Sequence, residues 1–282
     1  MNVQWYPGHM TKAKRMMEEN RKLIDLVIEL VDARIPLSSR NPDIESLGRQ
    51  KARLILLNKV DLADPSANEK WMKYFIEKDC HVLGMNSKKG EGVKGMQRAI
   101  EEACKEKIQR DRKRGIQNRP VRAMVVGIPN VGKSTFINCL AKKACTKTGN
   151  KPGVTKGKQW IRLNPYVELL DTPGILWPKF TDETVGLRLA YIGSVKDELL
   201  NNEEIALSLI DYVRTNYGGC LKKRYHLEDE GESLEILQGV AKNRNCLIRG
   251  EELDYSKAAS LIIEDFRSGR LGRITLELPE EE

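Results

Sequence analysis

The stretch Gly127-Ile-Pro-Asn-Val-Gly132-Lys133-Ser134 matches the pattern GxxxxGK[ST]. It directly follows a short apolar run, Ala123 to Val126, and precedes residues with helical periodicity. Glycines let such a loop wrap closely around an anion, and the backbone N–H groups of the loop and of the helix N-terminus then point at that anion. The strand, the loop and the helix together predict a P-loop that binds phosphate groups within an α/β fold.

The side chains of this loop have the chemistry that a nucleoside triphosphate requires. Lys133 is expected to reach the β- and γ-phosphate oxygens, and the hydroxyl of Ser134 is expected to bind Mg²⁺. The other residues of the loop and of the helix start that are expected to line the phosphates are Asn130, Val131, Gly132 and Thr135.

A second phosphate element, Asp171-Thr-Pro-Gly174, lies 38 residues after Lys133 and follows the apolar run Tyr166 to Leu170. A DTPG sequence by itself can be an ordinary turn. At the end of a second buried strand, however, Asp171 is suited to bind Mg²⁺ through water, and the N–H of Gly174 is suited to contact the γ-phosphate.

The sequence Asn58-Lys59-Val-Asp61 ends another apolar run and indicates which base is bound. A carboxylate at Asp61 accepts hydrogen bonds from N1–H and the exocyclic amine of guanine, whereas adenine has an acceptor at N1 and no amine at C2. We therefore expect GTP rather than ATP at the carboxyl ends of parallel strands. Asn86-Ser87-Lys88 follows the next strand and is similar to a loop whose backbone N–H groups contact guanine O6.

Short apolar runs alternate with helical patterns over residues 1–177, which favours a mostly parallel six-stranded sheet covered by helices. The segment Lys107 to Arg119 is polar and weakly periodic, so we expect an exposed connection there. The predicted strands are Leu26 to Val31, Arg53 to Leu57, His81 to Met85, Ala123 to Val126, Lys158 to Leu163 and Tyr166 to Leu170, and the predicted helices are Glu69 to Lys78, Val93 to Gln109 and one that begins after Gly132.

The pattern after residue 177 is helical. The predicted helices are Glu203 to Thr215, Ser233 to Asn243 and Ser256 to Phe266, and Arg273 to Leu278 is either a terminal strand or an extended tail. The sequence thus predicts two domains. An α/β domain covers residues 1–177, with an N-terminal arm at 1–22 and a basic connection at about 105–120, and a smaller α-helical domain covers 178–282.

Charge follows the same division. The 282 residues carry a net charge of +8, but residues 1–177 have 34 Lys+Arg against 19 Asp+Glu, and residues 178–282 have 14 against 21. Two basic runs, 105–122 and 142–162, flank the P-loop. Each run can be a solvated face, yet two runs around a phosphate-binding motif favour a polyanionic partner, whose counterions would be released on contact.

Several classes of protein are excluded by the sequence. The six cysteines form no CxxC pair, so we expect buried free thiols in a reducing compartment rather than a zinc ribbon or a disulfide framework. No apolar run approaches the roughly 18 residues of a membrane span, and the first residues lack the apolar core of a signal peptide. We expect a cytoplasmic monomer that does not bind a membrane.

The motifs resemble those of the translation-factor class of P-loop GTPases, but their order is unusual because Asn58 to Asp61 precede the P-loop by about seventy residues. This order resembles that of the circularly permuted GTPases. Trp5-Tyr-Pro-Gly-His9-Met10 and Val31-Asp-Ala-Arg34 resemble the members that act in ribosome biogenesis. The resemblance implies a GTPase that binds a late precursor of the large ribosomal subunit, with a helical C-terminal domain that contacts ribosomal RNA.

Two further site residues follow in part from this resemblance. Thr155, 22 residues after Lys133, is the best candidate for the switch threonine that joins Mg²⁺ and the γ-phosphate, with Thr146 and Thr148 as competitors. Asn130 resembles the asparagine that holds a potassium ion beside the phosphates in related GTPases, although an asparagine that simply forms the turn accounts for it equally well.

A residue that positions the attacking water is missing from its usual place, because Ile175 follows Asp171-Thr-Pro-Gly174. Intrinsic turnover should therefore be slow. His9 is the best candidate to orient the water, since imidazole donates and accepts hydrogen bonds near neutral pH. Packing of the N-terminal arm and contact with RNA are alternative roles for His9.

Some residues leave the choice between structure and function open. Trp5, beside Lys12, Lys14 and Arg15, suits either RNA contact or core packing. Arg34, Arg40 and Arg49 are either surface charges or contacts. The main alternative to a ribosome-assembly GTPase is a nucleotide-gated RNA-binding module whose hydrolysis is incidental.

Overall fold

The structure is a computed structural model that describes residues 8–42, 44, 48, 50–116, 119–148, 160–176, 182–195, 201–228 and 230–279. The chain forms two compact units. The first comprises the ranges 1–60, 65–180 and 277–282, and the second comprises 61–64 and 181–276. No helix among the described residues is long and apolar enough to cross a membrane.

The first unit contains one six-stranded sheet in the order β3-β2-β1-β4-β6-β5, and of these described strands only β5 runs antiparallel to its neighbour. The prediction of a mostly parallel six-stranded sheet is confirmed. The strands are β1 (Leu26–Asp32), β2 (Ala52–Asn58), β3 (His81–Met85), β4 (Val121–Val126), β5 (Trp160–Asn164) and β6 (Val167–Asp171).

The centre of the sheet is the apolar strand β1, in which all seven residues are buried. A strand that is covered on both faces has a continuous apolar sequence rather than an alternation of apolar and polar residues. Its exceptions are Asp32 at its end and Glu29, whose carboxylate lies 3.3 Å from Arg40 Nη2 and 3.1 Å from Arg53 Nη2. These two arginines compensate the buried charge, so the strand keeps an acidic residue in the core.

The helices of the first unit cover this sheet and differ from the sequence prediction in two places. They are α1 (Gly8–Asn20), α2 (Pro65–Glu77), α3 (Val93–Ala103), α4 (Lys105–Lys113) and α5 (Lys133–Thr148). Residues 8–20 of the predicted N-terminal arm form α1. The single helix predicted over Val93 to Gln109 is two helices, separated at Cys104.

The basic connection expected at about 105–120 is therefore partly helical, and most of its described residues from Lys107 to Arg119 are exposed, as expected. The Nζ of Lys107 lies 3.1 Å from Asp111 one turn further on, and 3.3 Å from Asp25. Glu106 lies in the first turn of α4 and three basic residues lie in its last turn, which complements the helix dipole. The periodicity was weak because α4 buries none of its residues.

The second unit is helical, as predicted. Its helices are α6 (Glu183–Tyr191), α7 (Asn202–Asn216), α8 (Cys220–Tyr225), α9 (Ser233–Asn243) and α10 (Tyr255–Arg267). Helices α6 and α8 were not predicted. The core is formed by the apolar faces of α7, α9 and α10, which include Leu209, Val240 and Ile262.

The segment 273–275 is extended and holds the segment Asp61–Asp64 within the second unit. Ile274 N donates to Leu62 O at 3.1 Å, and Asp64 N donates to the Thr275 hydroxyl at 3.0 Å. Of the two alternatives for Arg273 to Leu278, the extended tail is the one observed, because the described residues form no strand there. The backbone position of the segment that carries Asp61 is thus fixed by residues more than two hundred positions later in the chain.

Candidate active site

Four loops that were predicted to carry chemistry leave the sheet at one edge. In the parallel register Asp32 lies beside Asn58, Asn58 beside Met85, and Val125 beside Asp171. Strands β1 and β4 are neighbours at the centre of the sheet. From β1 the chain continues outward to β2 and β3 on one side, and from β4 it continues to β6 and β5 on the other side, so the direction of strand addition reverses between β1 and β4. Ligands of open α/β sheets bind at such a switch point.

The P-loop joins β4 to α5, as the sequence predicts. Its glycines are required by the geometry at two positions. Gly132 has φ +102°, and a Cβ there would lie 2.5 Å from Asn58 Nδ2. Gly127 has φ +152°, and a Cβ there would lie 2.7 Å from Leu30 O. The loop can therefore pack this closely against β1 and β2 only without side chains at these positions.

Lys133 is buried beneath the loop, with 8% of its surface exposed. Its Nζ donates to Gly127 O at 3.0 Å and to Ile128 O at 2.9 Å. Burial lowers the pKa of Lys133 to about 8, and Asp171 opposes this shift. Burial likewise raises the pKa of Asp171, while Lys133 lowers it. A cation held in this way in a loop of backbone dipoles is suited to bind an anion.

The DTPG element lies against the P-loop. Thr172 is buried, and its hydroxyl donates to Val125 O at 2.6 Å, which ties the element to β4. A Cβ on Gly174 would lie 2.7 Å from Lys133 Nζ and 2.9 Å from Pro129 N. The backbone of Gly174 is therefore adjacent to the cation and to the P-loop backbone.

The residue after this element, Ile175, is buried with 2% of its surface exposed. Its carbonyl accepts a hydrogen bond from the buried Asn41 Nδ2 at 3.0 Å. Ile175 is thus a core residue fixed from the loop after β1. No pattern in the sequence points to this role for Asn41.

Asn58 connects three loops. Its Nδ2 donates to Val131 O in the P-loop at 2.8 Å, and its Oδ1 accepts from the backbone N–H and the hydroxyl of Ser87 at 3.2 and 2.8 Å. The side chain is buried. The structure therefore brings together three motifs that lie far apart in the sequence, and joins them through one amide.

Lys59 makes the second connection between the same motifs. Its Nζ donates to Asn130 O at 2.8 Å and lies 2.8 Å from Asp32 Oδ2. Lys59 and Asn130 both have positive φ, of 62° and 60°. The backbone conformation of Asn130 is one that asparagine adopts more readily than most residues, which supports its role in forming the turn.

Asp32 and Arg34 form a buried ion pair that sequence patterns alone do not reveal. Arg34 Nε and Nη2 each donate to one carboxylate oxygen of Asp32 at 2.9 Å, and both residues are at most 1% exposed. Burial alone would raise the pKa of Asp32, but Arg34 and Lys59 outweigh it and hold the pKa well below its usual range. The available signal was a pair of opposite charges, two residues apart, at the end of a buried strand that is apolar apart from Glu29.

Replacement of Asp32 by asparagine is expected to lower the free energy of unfolding by about 3–5 kcal/mol, because it leaves the Arg34 guanidinium buried without a carboxylate. Urea unfolding at neutral pH measures this change. Since the pKa of Asp32 is lower in the folded than in the unfolded state, its stabilisation is present above the unfolded pKa, about 3.9, and is lost as the pH falls below it.

The matched control is Glu77→Gln. Glu77 lies 3.7 Å from Lys73 in an exposed pair on α2, so its loss should cost at most about 0.5 kcal/mol. Equal losses of stability for the two variants would contradict the structural role of Asp32.

The loop 86–91 after β3 is closed by its own hydrogen bonds. Asn86 N donates to Glu91 O at 3.2 Å, Gly90 N donates to Asn86 O at 2.8 Å, and Lys89 N donates to Asn86 Oδ1 at 3.1 Å. Lys88 is exposed, and its N–H is the one in this loop that has no hydrogen-bond partner among the described residues. That N–H is therefore available to a ligand.

Other predicted site residues are less fully defined. Ser134 and Thr135 are exposed at the start of α5, and Asp171 is exposed at the end of β6. Asp61 belongs to the second unit, where its carbonyl accepts a hydrogen bond from Arg273 Nε at 3.1 Å. Thr155 lies outside the described residues, as do Trp5 and Arg49, and the structure describes only the backbone of His9.

For Arg34 and Arg40 the structure decides between a surface charge and a contact. Arg34 is buried, and Arg40 pairs with Glu29, so both make contacts.

Of the five described cysteines only Cys104 and Cys246 are buried, so the expectation of buried thiols is wrong for the other three, which lie at partly exposed positions.

A scan against family models matches residues 122–246 to the family described as 50S ribosome-binding GTPase. The match begins at β4 and includes the P-loop and the DTPG element, while residues 58–61 lie before it in the chain. The fold, the site and this match define the protein as a P-loop GTPase.

Curated relatives extend over the whole chain. Ribosome biogenesis GTPase A of Bacillus cereus is 49% identical over 100% of this chain and 95% of its own length. The protein of that name from Thermotoga maritima is 32% identical over 99% and 95%, and mitochondrial ribosome-associated GTPase 1 of Mus musculus is 35% identical over 98% and 90%. The chain belongs to the ribosome biogenesis GTPase A family.

Solved structures agree with this assignment. A GDP-bound structure of TM YlqF superposes with a TM-score of 0.72 at 27% identity, over 95% of this chain and 100% of that one. A crystal structure of GNP-bound YlqF from T. maritima gives 0.69 at 28% identity, over 96% and 100%. The fold of the chain is thus that of a known nucleotide-binding GTPase.

Proposed function

We propose that this GTPase binds a late precursor of the large ribosomal subunit in the cytoplasm and promotes its assembly, as a monomer that cycles between GTP and GDP. The observation that carries the proposal is the junction at Asn58, which joins the P-loop to the motif that selects guanine. Family membership supports the ribosomal part, since the matching family is described as ribosome-binding.

The phosphates and Mg²⁺ would be held by Lys133, Ser134, Thr155 and Asp171. The hydroxyl and carboxylate oxygens of Ser134 and Asp171 are the ligands that Mg²⁺ prefers, and this ion usually takes only one or two protein carboxylates together with water and substrate phosphates. Among the described residues no group of three or more His, Cys, Asp or Glu side chains could hold a metal. When bound, Mg²⁺ neutralises charge on the β- and γ-phosphates.

Hydrolysis requires no covalent intermediate, because the protein acts by positioning and by charge. In the proposed reaction water attacks the γ-phosphorus in line with the leaving oxygen of GDP. Lys133 neutralises the phosphate oxygens, and the N–H of Gly174, adjacent to Lys133, contacts the γ-phosphate. A potassium ion at Asn130 would add a further positive charge.

Guanine would be selected by Asp61 and by the loop 86–91. The Asp61 carboxylate accepts from N1–H and the amine, and the backbone N–H of Lys88 donates to O6. Asn58 contributes mainly by holding the two loops, since its amide is already bonded to Val131 and Ser87. Lys59 fixes the P-loop at Asn130 O.

Ribosomal RNA is the proposed partner of the basic surface and of residues 178–282. Six cationic residues of the run 105–122 are exposed, namely Lys105, Arg110, Arg112, Lys113, Arg114 and Arg119. Exposed cations of this density bind a phosphate backbone without reading its sequence. A nucleotide-gated RNA-binding module with incidental hydrolysis is the second candidate, and the core position of Ile175 favours it because no side chain there can orient water.

The proposal is tested by the GTPase rate with purified large subunits, their late precursors and small subunits. We expect slow turnover alone and at least a tenfold faster rate with large-subunit particles only. Equal rates with all particles would contradict the assembly function and support the RNA-binding module.

His9→Ala is expected to remove most of that stimulation, so that the rate with large-subunit particles falls close to the rate of the protein alone, while GTP affinity is unchanged, because His9 would orient the attacking water. The matched control is His81→Ala, since His81 is exposed at the start of β3. Full stimulation of the His9 variant would eliminate the catalytic role of His9.

A further inference from the structure

The second unit contains a pocket lined by four cations and a histidine, which we call the basic pocket: Lys223, Arg224, Arg244, Arg270 and His226. Its volume is about 390 Å³, and no aspartate or glutamate is among the described residues that line it. This concentration of positive charge is unexpected, because residues 178–282 contain 21 acidic residues against 14 basic ones.

One buried carboxylate lies beside two of the arginines and is hydrogen-bonded to one of them, Arg224. Asp265 is fully buried, and its Oδ2 accepts from Arg224 Nε at 2.7 Å and from the Tyr225 hydroxyl at 3.0 Å. Arg270 Nε lies 2.8 Å from the other oxygen of Asp265. Asp265 binds Arg224 through Nε alone, so the terminal N–H groups of this guanidinium stay available for an anion.

The other two cations have no carboxylate partner among the described residues. Lys223 and Arg244 are exposed. Arg244 Nη2 donates to the backbone carbonyl of Arg224 at 2.8 Å, which positions the guanidinium without neutralising it. The pocket therefore keeps a net positive charge after the charges of Asp265 and of Glu264, which lies 3.8 Å from Arg270 Nη2, are counted.

The described lining of the pocket contains four cations and one aromatic side chain, the exposed His226. The neighbouring ring of Tyr225 is only 1% exposed, and the guanidinium carbons of Arg224 and Arg244 lie 5.8 and 5.4 Å from its centroid. Recognition of a nucleobase uses aromatic faces and hydrogen-bond acceptors, whereas phosphate recognition uses cationic donors. The lining thus matches a phosphate rather than a base.

We propose that the basic pocket binds a backbone phosphate of ribosomal RNA. This inference rests on the proposed function and assigns one RNA contact of the second unit to this pocket. Arg224, held by Asp265, and Arg270, held by Ser268, lose little rotamer entropy on binding, and charge-assisted bonds from guanidinium to phosphate are strong. The contact positions the unit on RNA and carries no sequence information.

The test measures how tightly a fluorescein-labelled RNA duplex of about 20 base pairs binds to the wild-type full chain and to the double variant Lys223→Gln/Arg244→Gln. Both affinities are measured at several salt concentrations. We expect about tenfold weaker binding, and a slope of log K against log salt that is smaller by about 1 to 2, because one or two phosphate contacts are lost. Lys223→Arg should bind like the wild type, and basal GTPase rates should be unchanged.

The matched control is Lys257→Gln/Arg249→Gln, which removes two exposed cations of the same unit outside the pocket. Thermal melting checks that both double variants are folded, and Lys223→Gln alone serves if the double variant is not. If the wild type binds and the pocket variants bind equally well, the inference is wrong and the proposed function stands.

Two other outcomes would also overturn the inference. An equal loss in the control would mean that general charge, rather than the pocket, binds RNA. If pyrophosphate binds to the wild type but not to the pocket variant while RNA binding is unaffected, the site belongs to a small phosphorylated ligand. Failure of the proposed function would be detected in a separate measurement, in which large-subunit particles do not stimulate the GTPase rate.

Discussion

Lys133→Met is expected to lower kcat/KM for GTP by about 10³-fold, which corresponds to roughly 4 kcal/mol of transition-state stabilisation. The buried ammonium of Lys133 is adjacent to Gly174 and is bonded to two P-loop carbonyls, so the variant removes a cation at the expected position of the phosphates. Methionine has a similar length and no charge. Steady-state phosphate release measures the change.

The control for this variant is Lys73→Met on α2, where the lysine is exposed and pairs with Glu77. Its rate should equal that of the wild type. The pKa of Lys133, about 8 in the free protein, adds a second test. GTP affinity should be constant below this pH and fall above it, because the neutral amine attracts phosphate less. A flat pH profile between about 7 and 9.5 would contradict the role of this cation.

Asp61→Asn is expected to weaken GTP binding by about 10²–10⁴-fold and to improve binding of xanthosine triphosphate. Two hydrogen bonds to a carboxylate contribute about 1.5–3 kcal/mol each. Xanthine has a carbonyl where guanine has its amine, so an asparagine amide can donate to it. Calorimetry with both nucleotides measures the exchange of preference.

Asp79→Asn is the control, because Asp79 is exposed in the turn after α2 and has a positive φ that asparagine also adopts. It should leave both affinities unchanged. Folding of the Asp61 variant should be normal, since the contact of Asp61 with Arg273 uses the backbone carbonyl. Retention of the preference for guanine in the Asp61 variant would overturn the assignment of the base-selecting residue.

The parts of the site that could be predicted are those encoded in a few adjacent residues. The P-loop needs glycine at positive φ and a lysine at one spacing, so Gly132 and Lys133 identify it without further information. The sheet was predictable because β1 and β2 are buried apolar runs. Helix α4 was predicted only as far as Gln109, because it buries none of its residues and so presents no apolar face in the sequence.

Contacts between distant segments could not be predicted. The sequence shows Asp32 and Arg34 as two charges near a strand, and only the buried pair explains why they are there. The carbonyl of Ile175 is held by Asn41, 134 residues earlier. The segment Asp61–Asp64 is bonded to residues 274 and 275. None of these pairings has a local pattern, because long-range hydrogen bonds impose no periodicity on either partner.

The sequence by itself determined the phosphate-binding loop, the preference for guanine and the alternation of strands and helices, since backbone conformation and ligand chemistry depend on neighbouring residues. The tertiary structure alone decided that Asn58 and Lys59 join these motifs, that Asp32 and Arg34 support them, and that the basic pocket forms in an acidic unit. Those features arise from side chains brought together by the packing of whole elements, and packing depends on all the residues in contact at once.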